Sequence, residues 1–190
     1  MSADVDPWRV ATDVARVFDE LDLRYSIGGS MASSVSGEPR STLDVDVVVA
    51  LEAPHVKPLL RRLAARYYVP EDALRRAVAE RASTTIIELD SSIKVDLFVA
   101  GGTPLDEQIL ERRVRVELDG DHAVYVHTPE DVLLQKLSWF RRGGEVSDRQ
   151  WRDVLGLIRV QGSRLDRVYL DDGAARLSVS DLLARALGQD

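Results

Sequence analysis

Apolar residues recur along the chain in two periods, and the switches between them mark the elements. Behind Asp6-Pro7, a good N-cap and first helical position, Trp8, Ala11, Val14, Phe18 and Leu21 repeat at helical spacing, which predicts a first helix ending near Leu21. Arg24 to Ile27 reads as a short strand running into Gly28-Gly29, and Ser30 to Ser36 as a short helix starting at those glycines. After a polar loop with Gly37 and Pro39, the valine-rich run Asp44 to Leu51 reads as a strand. Pro54 and Pro70 open helices to about Arg66 and Ala82, and Thr84 to Leu89 is predicted to pair with Ile93 to Val99 across Asp90-Ser91-Ser92. A helical or irregular stretch from Pro104 to Leu110 leads to strands Val114 to Leu118 and Ala123 to His127, joined through Asp119-Gly120-Asp121.

From Thr128 onward the pattern is wholly helical. Thr128-Pro129-Glu130-Asp131 is a cap with proline in the first turn, and its helix runs to about Arg141, where Gly143-Gly144 stops it. Ser147 to Gln150 has capping-box spacing ahead of the stripe Trp151, Val154, Leu155 and Ile158. Helices near Asp166 to Leu177 and Ser180 to Leu187 complete the pattern. The expectation is an α+β core over residues 1–127, a mixed sheet flanked by helices, with a helical subdomain over 128–190 packed on it.

Three acids interrupt this pattern. Asp44 and Asp46 sit two apart on a strand, so both project from one face while Val45 and Val47 project from the other. Asp96 lies inside the apolar run Ile93 to Val99. A carboxylate in an apolar strand loses hydration that a partner must replace, and a divalent cation suits several clustered acids. If the two strands are neighbours, the three carboxylates carry enough charge for two magnesium ions, an arrangement used for in-line displacement at phosphorus. The competing reading is that these acids are exposed strand-end residues paired with Arg40 or with Lys94, which faces the same way as Asp96.

Gly28-Gly29-Ser30 lies where a strand meets a helix N-terminus. Glycines let backbone approach a polyphosphate, free N–H groups and the helix dipole favour anions, and a serine hydroxyl adds a donor, although such a sequence is also an ordinary turn. Lys136 has the helical neighbours Val132, Leu133, Leu137 and Phe140, all apolar, so it either snorkels to solvent or meets an anion such as a nucleotide triphosphate. Arg149 and Asp153 share the helix face opposite Trp151. His55, His122 and His127 lack ligand spacing and read as structural or exposed.

Composition narrows the choices. The 190-residue chain is 45% hydrophobic, has no cysteine and carries a formal charge of −7. It has room for one sizeable core, no disulfide or thiolate chemistry, and no broad basic footprint for nucleic acid. Only Lys57, Lys94 and Lys136 among its 25 cationic residues are lysine, and arginines cluster at 61, 62 and 66 and at 75, 76 and 81. These read as solvated helix faces or, alternatively, as a docking surface for a phosphate-rich acceptor. With no run of about 18 apolar residues and an acidic start, a cytoplasmic location and no membrane partner are expected.

Taken together, Gly28-Gly29-Ser30, the spacer, Asp44-Val45-Asp46-Val47-Val48-Val49 and Asp96 resemble the signature of the DNA polymerase beta-type nucleotidyltransferase superfamily. The segment Gly37 to Leu43, Lys136 and the stretch Arg149 to Asp153 are similar to the abortive-infection, AbiEii-like, nucleotidyltransferase toxins. The resemblance implies that Asp44, Asp46 and Asp96 are the catalytic acids and ligate two Mg2+ ions, with Mn2+ as an alternative. It also implies that Gly29, Ser30 and Lys136 bind the nucleoside triphosphate, and that a nucleoside monophosphate moves to a hydroxyl. Arg40 and Asp153 are accessory candidates, with Asp148 competing for the late acid. An RNA acceptor, tRNA included, and an antitoxin protein follow from the toxin-like group. A small-molecule or protein acceptor, and a silent nucleotide-binding module, stand beside these as rival expectations.

Overall fold

The computed structural model describes residues 6–38, 42–118 and 123–188. Among them one mixed sheet forms the centre, built from β1 (Tyr25–Ile27), β2 (Asp44–Val49), β3 (Tyr67–Tyr68), β4 (Ser83–Glu88), β5 (Lys94–Val99), β6 (Val114–Glu117) and β7 (Ala123–Val126) in the order β3-β4-β5-β2-β1-β7-β6. β2 runs antiparallel to β1 and parallel to β5, and β4 and β5 form the expected antiparallel pair. Strand alternation sends Val45, Val47 and Val49 of β2 and Val95, Leu97 and Val99 of β5 into the core, where each is at most 2% exposed. Asp44, Asp46, Asp96 and Phe98 belong to the opposite face.

Helices α1 (Pro7–Glu20), α2 (Gly29–Ser36), α3 (Ala53–Leu63), α4 (Glu71–Glu80) and α5 (Asp106–Arg112) are followed by α6 (Pro129–Arg142), α7 (Asp148–Gln161), α8 (Arg167–Arg176) and α9 (Ser180–Ala186). The caps read from sequence are made: Asp6 accepts the Trp8 N–H at 2.9 Å, Thr128 that of Asp131 at 3.2 Å and Ser147 that of Gln150 at 3.3 Å. Each such cap stabilises its helix by about 1 kcal/mol. α1 packs on β1, β2 and β7, α2 packs between β2 and the pair α6 and α7, and α8 joins α6 to α9. Apolar residues from Val10 to Ala186 form one continuous buried cluster.

Most boundaries fall within two residues of the sequence expectation, and two helix ends differ for an identifiable reason. α3 ends at Leu63 and α4 at Glu80, each a turn or less early, because Arg81 adopts a left-handed conformation (φ 52°) and Tyr67–Tyr68 pairs with β4 as a two-residue strand. Such a strand has too few positions to show a period. The turn expected at Asp119-Gly120-Asp121, and His122, lie outside the described residues. No helix among the described residues is long and apolar enough to cross a membrane.

Candidate active site

The parallel register of β2 and β5 sets Asp46 directly beside Asp96 and Asp44 beside Lys94. Asp44, Asp46 and Asp96 line one cavity of about 300 Å³ together with Ser30 of α2, Lys136 of α6 and Arg149 of α7. Acids thus occupy the sheet wall and cations the helical wall. Burial, and then the neighbouring Asp96 charge, push the Asp46 carboxyl up to about 6, against the pull of Lys136 and Arg149.

The Gly28-Gly29-Ser30 turn is held to the acid strand by its backbone. The Gly28 N–H donates to the Asp46 carbonyl at 2.8 Å, and Gly28 C=O accepts from Ala32 N–H at 3.1 Å as α2 begins. Both glycines are required by space. Gly29 has φ +55°, and a Cβ there would stand 1.8 Å from Asp46 Oδ2; a Cβ on Gly28 would stand 2.6 Å from His127 Nε2. His127 is a buried structural residue whose Nδ1 lies 2.8 Å from Ser26 Oγ.

A local partner orients Asp96. Thr85, opposite Asp96 on β4, donates its hydroxyl to Asp96 Oδ1, while Lys94 is exposed, so the alternative pairing of this acid with Lys94 gives way to a hydroxyl. Asp46 lies against Gly29. Among the described residues no group of three or more His, Asp or Glu is already gathered as a metal cluster. The donor set itself is hard oxygen on an acid-lined wall, which is the chemistry magnesium or manganese takes.

Lys136 is 1% exposed and donates from Nζ to Asp153 Oδ2 at 2.7 Å across α6 and α7. Of the two late acids, Asp153 therefore faces the cavity lysine, and Asp148 is an exposed first-turn residue of α7. Arg40 lies outside the described residues. Residues not marked for the site by the sequence reading also shape it, among them Thr85, the cavity-lining Trp139 and Gln150, and Gln135, whose Oε1 accepts the Gly29 N–H at 3.2 Å. Only the strand opposite Asp96 signalled Thr85, and only the position beside Lys136 signalled Gln135.

No family model matches the sequence, and no curated protein does. Among solved structures, the chain is similar to an antigenic nucleotidyltransferase-like protein from Paracoccidioides brasiliensis at 19% identity and TM-score 0.58, over 96% of this chain and 92% of that one. It is also similar to the antibiotic-resistance factor ANT(2'')-Ia at 11% identity and TM-score 0.54, over 91% of this chain and 94% of that one. The fold is of the nucleotidyltransferase type. Within this nucleotidyltransferase-type fold, the cavity sits where β2 and β5 meet the N-terminus of α2.

Proposed function

We propose that the chain is a metal-dependent nucleotidyltransferase that moves a nucleoside monophosphate from a nucleoside triphosphate to a hydroxyl. The single observation that carries this reading is the shared cavity, with Asp44, Asp46 and Asp96 on one wall and Ser30, Lys136 and Arg149 around it. Asp44, Asp46 and Asp96 would hold magnesium or manganese, which supplies charge neutralisation at the phosphates and polarises the phosphorus centre. Lys136 and Arg149 attract the triphosphate oxygens, and the Ser30 hydroxyl and the turn at Gly29 allow close approach of backbone to phosphate. Asp96 accepts the proton of the attacking hydroxyl, with Thr85 fixing the carboxylate's orientation.

Two acceptor classes rest on different observations. The Lys136–Asp153 pair supports the likeness to AbiEii-like toxins, and with it an RNA end such as tRNA and an antitoxin partner. The fold shared with ANT(2'')-Ia, a structure of which holds adenylyl-2''-tobramycin, supports a small hydroxylated molecule.

Incubation with each α-labelled nucleoside triphosphate, magnesium, total RNA and a panel of small alcohols should release pyrophosphate and label one acceptor. Asp44→Ala and Asp96→Ala should each slow release by at least about 100-fold while the fold is retained. Near-native turnover in either variant overturns the assignment.

A further inference from the structure

A second cavity of about 600 Å³ lies against the same sheet face. It begins where the acid cavity ends. Val48 and Phe98 in its wall stand two residues beyond Asp46 and Asp96 on the same strands and the same side, about 7 Å further along. Trp139 borders both cavities, its ring centred 5.9 Å from that of Phe98.

The lining of this second cavity is largely apolar, from Val48, Phe98, Leu105, Ile109, Trp139 and Leu177, and its volume suits a drug-sized molecule. Its two acids are already engaged. Asp106 Oδ2 accepts the N–H groups of Gly101 and Thr103 at 2.9 Å each, and Oδ1 the Thr103 hydroxyl. Asp131 accepts the Thr128 hydroxyl at 2.7 Å and the Tyr169 hydroxyl. A polycation would therefore meet occupied carboxylates, and the exposed Arg142 on the rim would repel it.

Three of the arginines that could track an RNA backbone are engaged in ion pairs: Arg62 with Glu20, Arg66 with Asp13 and Arg75 with Glu71. A cavity of this volume with this apolar lining does not favour a long polyanion.

We propose that this cavity holds the body of the acceptor, a small neutral or anionic alcohol with an apolar or aromatic frame. The proposal rests on the nucleotidyl-transfer reading for its chemistry. The hydroxyl oxygen, reaching past Trp139, bonds to the α-phosphorus as the bond from that phosphorus to the β-bridging oxygen breaks. The electron pair leaves with pyrophosphate, and the hydroxyl proton passes to Asp96.

The probe is 2-(2-naphthyl)ethanol, measured by equilibrium dialysis, with magnesium-ATP titrated separately by calorimetry. Wild type should bind the probe saturably, and Ser138→Phe and Leu105→Trp, which place new rings in the cavity, should each weaken it at least tenfold. Magnesium-ATP should bind Ser138→Phe as it binds wild type. A probe that does not bind, or binds both variants as tightly as wild type, overturns the cavity assignment and leaves nucleotidyl transfer standing. Labelled transfer to RNA undiminished in Ser138→Phe also overturns it. Failure of every magnesium nucleoside triphosphate, titrated in turn, to bind wild type instead removes the nucleotidyl-transfer reading, and the acceptor role with it, while saturable probe binding would still support the ligand class.

Discussion

Lys136 and Asp153, seventeen residues apart in sequence, meet at 2.7 Å between α6 and α7 with the lysine almost wholly buried. Breaking a buried ion pair by removing one partner costs about 3 kcal/mol where, as here, a second carboxylate, that of Asp46, still attracts the lysine. Asp153→Ala should therefore lower stability by that amount in urea unfolding. Replacing both, as Lys136→Met with Asp153→Leu, should recover most of it, because two well-packed apolar groups carry no desolvation cost. Nucleotide affinity separates the roles: the double variant should fold yet bind magnesium-ATP poorly. A loss below about 1 kcal/mol in Asp153→Ala would show that the pair is not what holds the lysine.

Asp46 presents the opposite balance, since its charge is destabilised in place. With the carboxyl raised from 3.8 to about 6, the native state binds more protons than the unfolded chain between those values, so this group's contribution to stability falls as pH rises through that window. At pH 7.5 in EDTA, Asp46→Asn should be more stable than wild type by on the order of 2–3 kcal/mol. The gain should vanish near pH 4, where wild-type Asp46 is itself neutral. Magnesium should raise the melting temperature of wild type more than that of the variant. A variant less stable than wild type at pH 7.5 would contradict this account.

The turn beside Asp46 gives a steric prediction. Gly29→Ala places a methyl in a left-handed conformation and within 1.8 Å of the Asp46 carboxylate. Strain and forced displacement together should cost about 2–4 kcal/mol in thermal or chemical unfolding. Because the displaced group is a proposed metal ligand, magnesium affinity should fall as well. An alanine tolerated at position 29 without loss of either quantity would mean the turn is not pinned against β2.

Much of this arrangement is legible in the chain because it is periodic. Asp44 and Asp46 share a face by strand alternation, and Asp96 stands out as an acid in an apolar run, so their side of the sheet can be read without coordinates. What cannot be read depends on register between distant segments. Thr85 reaches Asp96 only because β4 pairs with β5 in one alignment, and Gln135 meets Gly29 only because α6 packs on α2. The choice of Asp153 over Asp148 likewise follows from how α7 is rotated against α6. Tyr67–Tyr68 gives no signal for a different reason, since two residues cannot display an alternation.

His127 supplies a pH dependence of the opposite sign to that of Asp46. Burial pushes its imidazole down to about 3, so the native protein keeps it neutral where the unfolded chain, near 6.5, takes a proton. The unfolded state then binds more protons between about pH 6.5 and 3, and stability falls as pH drops through that range by up to about 1.4 kcal/mol per unit from this one group. His127→Gln should lose that component: its unfolding free energy between pH 6.5 and 4.5 should be flatter than that of wild type, even if it starts lower. The difference should be read with Asp46→Asn as the background, because Asp46 acts in the overlapping window with the reverse slope. Equal slopes with and without His127 would show that the imidazole is protonated in the folded protein and that the space behind Gly28 is open to water.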